Sequence, residues 1–269
     1  MKKQTVLTRT RTTLVAALAA ASVMASCEMA NGPARADSGG GTSRGGSMAR
    51  FAIAGDWLYT VNDHLMSVVS IADPERPVEG DRIAIGSNIE TIFPMDTLLL
   101  IGSQNGMYIY NIKNPEFPRH LSTSLHFRSC DPVVAADTLA FVTLNSSLGA
   151  WCGSGGNALQ VYNIRDLSAP KLLGEVPMSS PRGLAVDPDS KLLFVCDNGI
   201  KAFDIADPLD PEPLYSSLST PEVGKIDAYD CMITDQGRLL VIGADGLYQL
   251  GYDRAGFSFT SKIDIRREQ

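Results

Sequence analysis

Histidine is scarce: His64, His120 and His126 are the only three in 269 residues, and none stands in an H-E-x-x-H or comparable spacing. No zinc site is therefore expected. No D-x-[DN]-x-[DN]-G loop with its distant glutamate occurs, so an EF-hand calcium site is not expected either. A glycine loop set between a strand and a helix is also missing, which removes a nucleotide reading and leaves no cofactor expected. The uninterrupted run of apolar and small residues from Leu14 to Ala25 is only twelve residues, too short to span a bilayer as a helix. Positive charge is in deficit, with 23 Lys and Arg against 30 Asp and Glu, for a net charge of −7. That balance argues against nucleic acid or anionic lipid as the main partner.

What is present begins with an address. Lys2, Lys3, Arg9 and Arg11 precede the apolar run, the layout of an export signal. Without these four basic residues the net charge moves from −7 to −11. The run ends in "MASC", Met24 to Cys27, which resembles the lipobox of bacterial lipoproteins, with Met24 in place of the usual leucine. The resemblance implies acylation of Cys27 and anchoring in the bacterial outer membrane or at the cell surface after export. An ordinary secretory signal with an incidental cysteine is the alternative. Residues 1–26 are thus read as a signal peptide and 27–48 as an acylated cysteine with a tether. The tether, rich in Gly and Ser with almost no bulky apolar residues, cannot bury enough surface to offset its ordering entropy. Gly41-Thr42-Ser43-Arg44-Gly45 inside it fits G-x-S-x-G, but no strand precedes it, as a hydrolase nucleophile turn requires.

From residue 49 to residue 269 one pattern repeats. A joint of apolar residue, Asx and proline-rich step recurs in "SIADPERPVEG", "NIKNPEFPRH", "NIRDLSAPKLLG" and "DIADPLDPEP". Its apolar residue stands at Ile71, Ile112, Ile164, Ile205 and, in "LYQL", Leu250, at intervals of 41, 52, 41 and 45 residues. That period is the length of a four-stranded propeller blade. Within each period lies a short strand-like run, "WLYTV", "TLLLIGS", "TLAFVTL", "KLLFVCD" or "RLLVIGA". Asp56, Asp96, Asp137, Asp189 and Asp235 precede these runs, and their repetition marks them as turn formers rather than catalytic acids. Asn105-Gly106, Asn198-Gly199 and Asp245-Gly246 are hairpin pairs of the primed type. The prolines of the joint, Pro74, Pro77, Pro115 and Pro118 among them, suit turns and sheet edges because they lack an amide donor. The expected fold is therefore an all-β propeller of five four-stranded blades, with a β-sandwich as the alternative. Ring closure is left to packing of the first blade on the last or to a swapped strand.

The phrases "LMSVVSIADPERPVEG", "MYIYNIKNPEFP", "LQVYNIRDLSAPKLLGEV" and "IKAFDIADPLDPEP" resemble the LVIVD repeat, found in bacterial secreted and surface lipoproteins and taken to fold as a β-propeller. The resemblance covers roughly Arg50 to Asp253. It implies the fold and a compact lipoprotein, and it carries no catalytic residue to transfer.

Propeller geometry places the loops into the inner strands on one face with the hairpins between second and third strands. Arg128, Asp131, Arg182, Asp197, Asp227, Tyr229 and Asp230 fall on or beside that face near the axis. They form either a funnel for a polar ligand such as a glycan or a peptide end, or a lining of mutually satisfied ion pairs. The third interval's excess lies in "NSSLGAWCGSGGN", whose Trp151 either contacts a ligand or folds over a neighbouring blade. Cys130 and Cys152 are expected to share this face and to pair as a disulfide clamping the enlarged loop. Cys196 and Cys231 lie in apolar strand contexts and are expected as buried thiols, with a bridge between them left open. Two functions remain. One is a non-enzymatic, lipid-tethered, monomeric binding module for an envelope protein or polysaccharide. The other is a carbohydrate-active hydrolase using a pair such as Asp131 and Asp230, which fold analogy alone supports.

Overall fold

The computed structural model describes residues 46–126, 132–146, 156–219, 223 and 225–265. All of them belong to the compact unit Gly39–Gln269. The first sheet runs β1 (Phe51–Ala54), β2 (Trp57–Val61), β3 (Leu65–Ser70) and β4 (Val78–Ala84). The second holds β5 (Ile89–Met95), β6 (Leu98–Ser103), β7 (Gly106–Asn111) and β8 (Arg119–Leu125). The third holds β9 (Val133–Ala136), β10 (Leu139–Leu144), β11 (Ala158–Asn163) and β12 (Lys171–Pro177). The fourth holds β13 (Leu184–Asp187), β14 (Leu192–Cys196), β15 (Ile200–Asp204) and β16 (Glu212–Ser216), followed by a 3-10 turn, Ser217–Ser219. The fifth holds β17 (Ala228–Ile233), β18 (Leu239–Gly243), β19 (Gly246–Tyr252) and β20 (Phe257–Asp264). Every pairing is antiparallel between sequence neighbours, and the expected five-bladed propeller is what the chain forms.

The recurring joint has a chemical cause. Asn111, Asn163 and Asp204 each accept the amide two residues on, at Lys113, Arg165 and Ala206. Asp73, Asp166 and Asp207 do the same for Glu75, Ser168 and Leu209. In those three and at Asn114 the backbone carbonyl then takes the amide three residues on. In the third and fourth blades two Asx turns in succession thus reverse the chain between third and fourth strands, and the first and second blades each use one of the two. The apolar residue of each joint is pinned as well: Ile71, Ile112, Ile164 and Ile205 donate their amides to Asp56, Thr97, Thr138 and Lys191 at the turn between first and second strands. Each third and fourth strand pair carries a register shift, adding twist to the outer edge of every blade.

Four apolar layers lie between consecutive blades, first to second, second to third, third to fourth and fourth to fifth. The second strands of the second and fourth blades are buried along their whole length, and that of the third at every residue but Leu139, because each is covered on both faces. That double burial is why they read as continuous apolar runs. The end blades differ. Phe51 and Ile53 of β1 are 58% and 41% exposed, and Tyr229 of β17 and Ile242 of β18 are 40% and 49% exposed. Among the described residues no apolar cluster joins the first and fifth sheets, and no swapped strand closes the ring. The two ends are linked instead through the segment before β1. Ser47 Oγ donates to Asp230 Oδ1 at 2.9 Å and the Met48 amide to Asp230 Oδ2 at 3.3 Å.

Candidate functional site

The loops leading into the inner strands and the hairpins between second and third strands do share a face. The amides of Ile89, Gln104 and Ala244 donate to the carbonyls of Asp63, Asn88 and Asp227, one hairpin or loop to the next. On this face the structure brings Arg182, Asp227 and Tyr229 together between the fourth and fifth blades. Arg182 Nη1 lies 2.9 Å from Asp227 Oδ1 and donates at 3.3 Å to the Ala228 carbonyl. Its guanidinium carbon stands 4.9 Å from the centre of the Tyr229 ring, a cation–π contact that stiffens a partly exposed patch. The patch offers a charged donor and a phenol to solvent on a fixed backbone.

Asp230 is held differently. Its carboxylate accepts the Ser47 hydroxyl, the Met48 amide and, at 2.9 Å, the Cys231 amide. Burial pushes its pKa up, against the pull of those three donors. Ser47 is fully buried, and its oxygen also accepts the Leu184 amide at 2.8 Å. The chain's own residues 46–48 therefore occupy the axial end of this face, and the carboxylate is spent on holding them. Asp197 is likewise a structural acid. Only 1% exposed, it accepts the amides of Ser179 and Ser180 at 3.2 and 2.6 Å and the Lys201 ammonium at 2.6 Å. It shapes the loop into β13, which Asn145 Nδ2 also ties down at the Pro181 carbonyl, 2.6 Å away. Asp230 and Asp197 are thus each held by donors of the chain itself, Asp197 by an ion pair and two amides and Asp230 by a hydroxyl and two amides.

Arg128, Asp131 and Trp151 lie outside the described residues, as do Cys130, Cys152 and Cys27. Cys196 and Cys231 are buried free thiols, as their apolar strand contexts led one to expect. Among the described residues no group of three or more His, Cys, Asp or Glu is placed to hold a metal ion.

Sequence reasoning missed an opening at the other end of the ring. A cavity of about 330 Å³ lies where inner strands β5, β9, β13 and β17 end, with Phe93, Met95, Val134 and Met232 in its wall. Its rim carries Asp96, Asp137 and Asp189 from the turns between first and second strands, and Asp187 at the end of β13. Asp137 pairs with Lys191 at 3.4 Å, and Asp187 accepts the Tyr252 hydroxyl at 2.8 Å. Burial would raise the Asp187 pKa, but the hydrogen bonds from Ser190, Tyr252 and Asp189 outweigh it and hold the carboxyl below its ordinary range. The repetition that marks such aspartates as turn formers also hid that the turns ring an opening.

No protein-family profile matches the chain, and no curated protein matches it. Solved structures do. A functionally unknown protein from Desulfotomaculum acetoxidans is similar with a TM-score of 0.63 at 13% identity, over 80% of this chain and 69% of that one. The periplasmic gluconolactonase of Pseudomonas aeruginosa aligns with a TM-score of 0.55 at 13% identity, over 78% and 67% of the two chains. A chain of a nidogen/laminin complex aligns with a TM-score of 0.53 at 11% identity, over 80% and 76%. At such identities the likeness speaks to the fold alone: this chain has the β-propeller architecture, shared by proteins of unknown and of varied function.

Proposed function

We propose that the protein is a lipid-anchored envelope propeller of the LVIVD-repeat kind, a monomeric binding module that engages an envelope protein or polysaccharide through its loop face. The observation that carries this reading is the contrast between the two sets of charged groups there. The Arg182, Asp227 and Tyr229 patch reaches solvent, whereas Asp197 and Asp230 are each held by three donors within the chain. The usual glycoside hydrolase needs two carboxyls open to the scissile bond, one to move a proton and the other to activate water or attack as nucleophile. Asp230 is ill suited to that task, which disfavours the hydrolase alternative built on Asp131 and Asp230. Anchoring at Cys27 and residence at the outer membrane or cell surface rest on the lipobox resemblance. The nidogen/laminin complex supplies an example of a chain of this fold in a protein complex. The acidic balance of the chain weighs against a nucleic-acid partner.

The test is crosslinking of the tethered protein in intact envelopes, run beside an Arg182→Ala, Tyr229→Ala double variant and an Asp189→Lys variant at the opposite mouth. Capture of one species by the parent and by Asp189→Lys, with loss in the double variant, supports recognition by the loop face. Loss only in Asp189→Lys would move recognition to the cavity end. Hydrolysis of glycans by the purified domain would overturn the non-enzymatic reading.

A further inference from the structure

The two free thiols are neighbours in space. Cys196 ends β14 and Cys231 lies within β17, and both sit in the apolar layer between the fourth and fifth blades, 0% and 3% exposed. The Cys231 thiol points at the carbonyl of Phe194, 4.0 Å away and two residues before Cys196 on the same strand, and Phe194, Cys196 and Cys231 belong to one buried cluster. The backbone around them is built for close approach. The Cys196 amide donates to the Gly183 carbonyl at 2.9 Å, while the Gly183 amide donates to the Tyr229 carbonyl at 3.0 Å. One residue thus stitches the Cys196 strand to β17. A side chain at Gly183 would stand 2.1 Å from Asp230 Oδ1 and 2.6 Å from Asp230 Cα, so glycine is what lets β17 draw in beside the fourth blade.

We propose that Cys196 and Cys231 are the two halves of an inter-blade disulfide, a covalent clasp that joins the fourth blade to the fifth in oxidising surroundings. A disulfide requires the backbones of its two cysteines to approach closely, and the bonds through Gly183 hold the Cys196 strand against β17. Its position has a use, because the fifth blade is covered on one face only and the layer shared with the fourth is its main apolar anchorage. The oxidant is a disulfide donor of the glutathione or oxidised-dithiol class. One protein thiolate attacks a donor sulfur, and the first donor thiolate leaves. The second protein thiolate then displaces the remaining donor sulfur from the mixed disulfide. One donor disulfide is consumed and one protein disulfide formed, with two electrons and two protons ending on two donor thiols. Burial and the neighbouring sulfur push the Cys231 thiol well up, so in the docked layer a reactive thiolate is scarce. The bond therefore forms as the two blades dock and is shielded from reductants afterwards.

Trypsin separates the two sites cleanly, since residues 192–201 carry Cys196 alone, residues 226–238 carry Cys231 alone, and Cys130 and Cys152 share residues 129–165. The full chain is refolded from the reduced, unfolded state with oxidised glutathione, the folded fraction is isolated and then unfolded in urea containing N-ethylmaleimide so that buried free thiols are blocked too, and the digest is mapped without reductant. The expected result is peptide 192–201 linked to peptide 226–238, with a urea midpoint that falls when reductant is present during unfolding. In a Cys196→Ala variant the link disappears, Cys231 takes the maleimide label, and the Cys196–Cys231 share of that reductant effect is lost. Recovery of both peptides as labelled or glutathionylated species from folded protein overturns the proposal. So does linkage of either one to residues 129–165.

Discussion

Ser47 and Asp230 lie 183 residues apart in sequence and 2.9 Å apart in space, and their hydrogen bond ties the segment before the first blade to the inner strand of the last. Ser47 also accepts the Leu184 amide, so three strands of backbone meet at one hydroxyl. Ser47→Ala removes both bonds and leaves a buried amide and a partly buried carboxylate short of a partner. The expected cost is about 1–3 kcal/mol, read as a lower urea midpoint. A stability equal to the parent's would show that the latch contributes nothing to holding the ring.

Asp230 makes the latch sensitive to pH. Its pKa in the folded chain lies above the ordinary value of 3.8, so between the two values the folded state binds more protons than the unfolded one. Stability from this group is therefore greatest at the acid end of that window and declines as pH rises through it. The difference in unfolding free energy between the parent and Asp230→Asn should move against the parent from about pH 4 upward and then level off. A difference that stays flat across that range would mean the carboxylate titrates normally.

Gly183 has no positive φ, so alanine there ought to stabilise slightly by restricting the unfolded chain. The close approach of Asp230 reverses that expectation. Because a Cβ would meet both Oδ1 and backbone Cα of Asp230, Gly183→Ala should destabilise by about 1–3 kcal/mol in equilibrium unfolding. A neutral or stabilising result would show that β13 and β17 are further apart than described.

Tyr59 is fully buried in the first blade and donates its hydroxyl to the Pro115 carbonyl in the second blade's joint, 2.9 Å away. Desolvation drives its pKa far upward, keeping the phenol a donor at any ordinary pH. Tyr59→Phe keeps the ring and loses the bond, with an expected loss of about 1 kcal/mol in thermal or urea denaturation. Spectrophotometric titration under native conditions should show one fewer ionisation-resistant tyrosine in Tyr59→Phe than in the parent, where burial also raises Tyr110 and Tyr215.

Much of the architecture was legible because each blade solves one local problem in the same way. The double Asx turn needs Asn or Asp at two fixed places, and its return at Asn163 with Asp166 and at Asp204 with Asp207, with one half of it at Asp73 and at Asn111, could be read without coordinates. Doubly covered second strands need unbroken apolar runs, and "LLLIGS" and "LLFVC" supplied them. The period, the five blades and the face shared by hairpins and loops follow from these local rules. So does the expectation that Cys196 and Cys231 are buried.

The rest depended on long-range contacts that leave no repeat behind. Whether Asp230 is a ligand or a strut turns on Ser47, far away in sequence and unremarkable in a run of small residues. That β1 and β17 keep exposed apolar faces depends on the curvature with which five similar sheets pack, and no single blade encodes that sum. The meeting of two thiols on different blades is likewise set by how closely β17 docks beside Gly183. Local hydrogen bonding and patterning act within a few residues and so write themselves into the sequence, whereas the cavity, the latch and the approach of the two thiols are products of how the blades come to rest against one another.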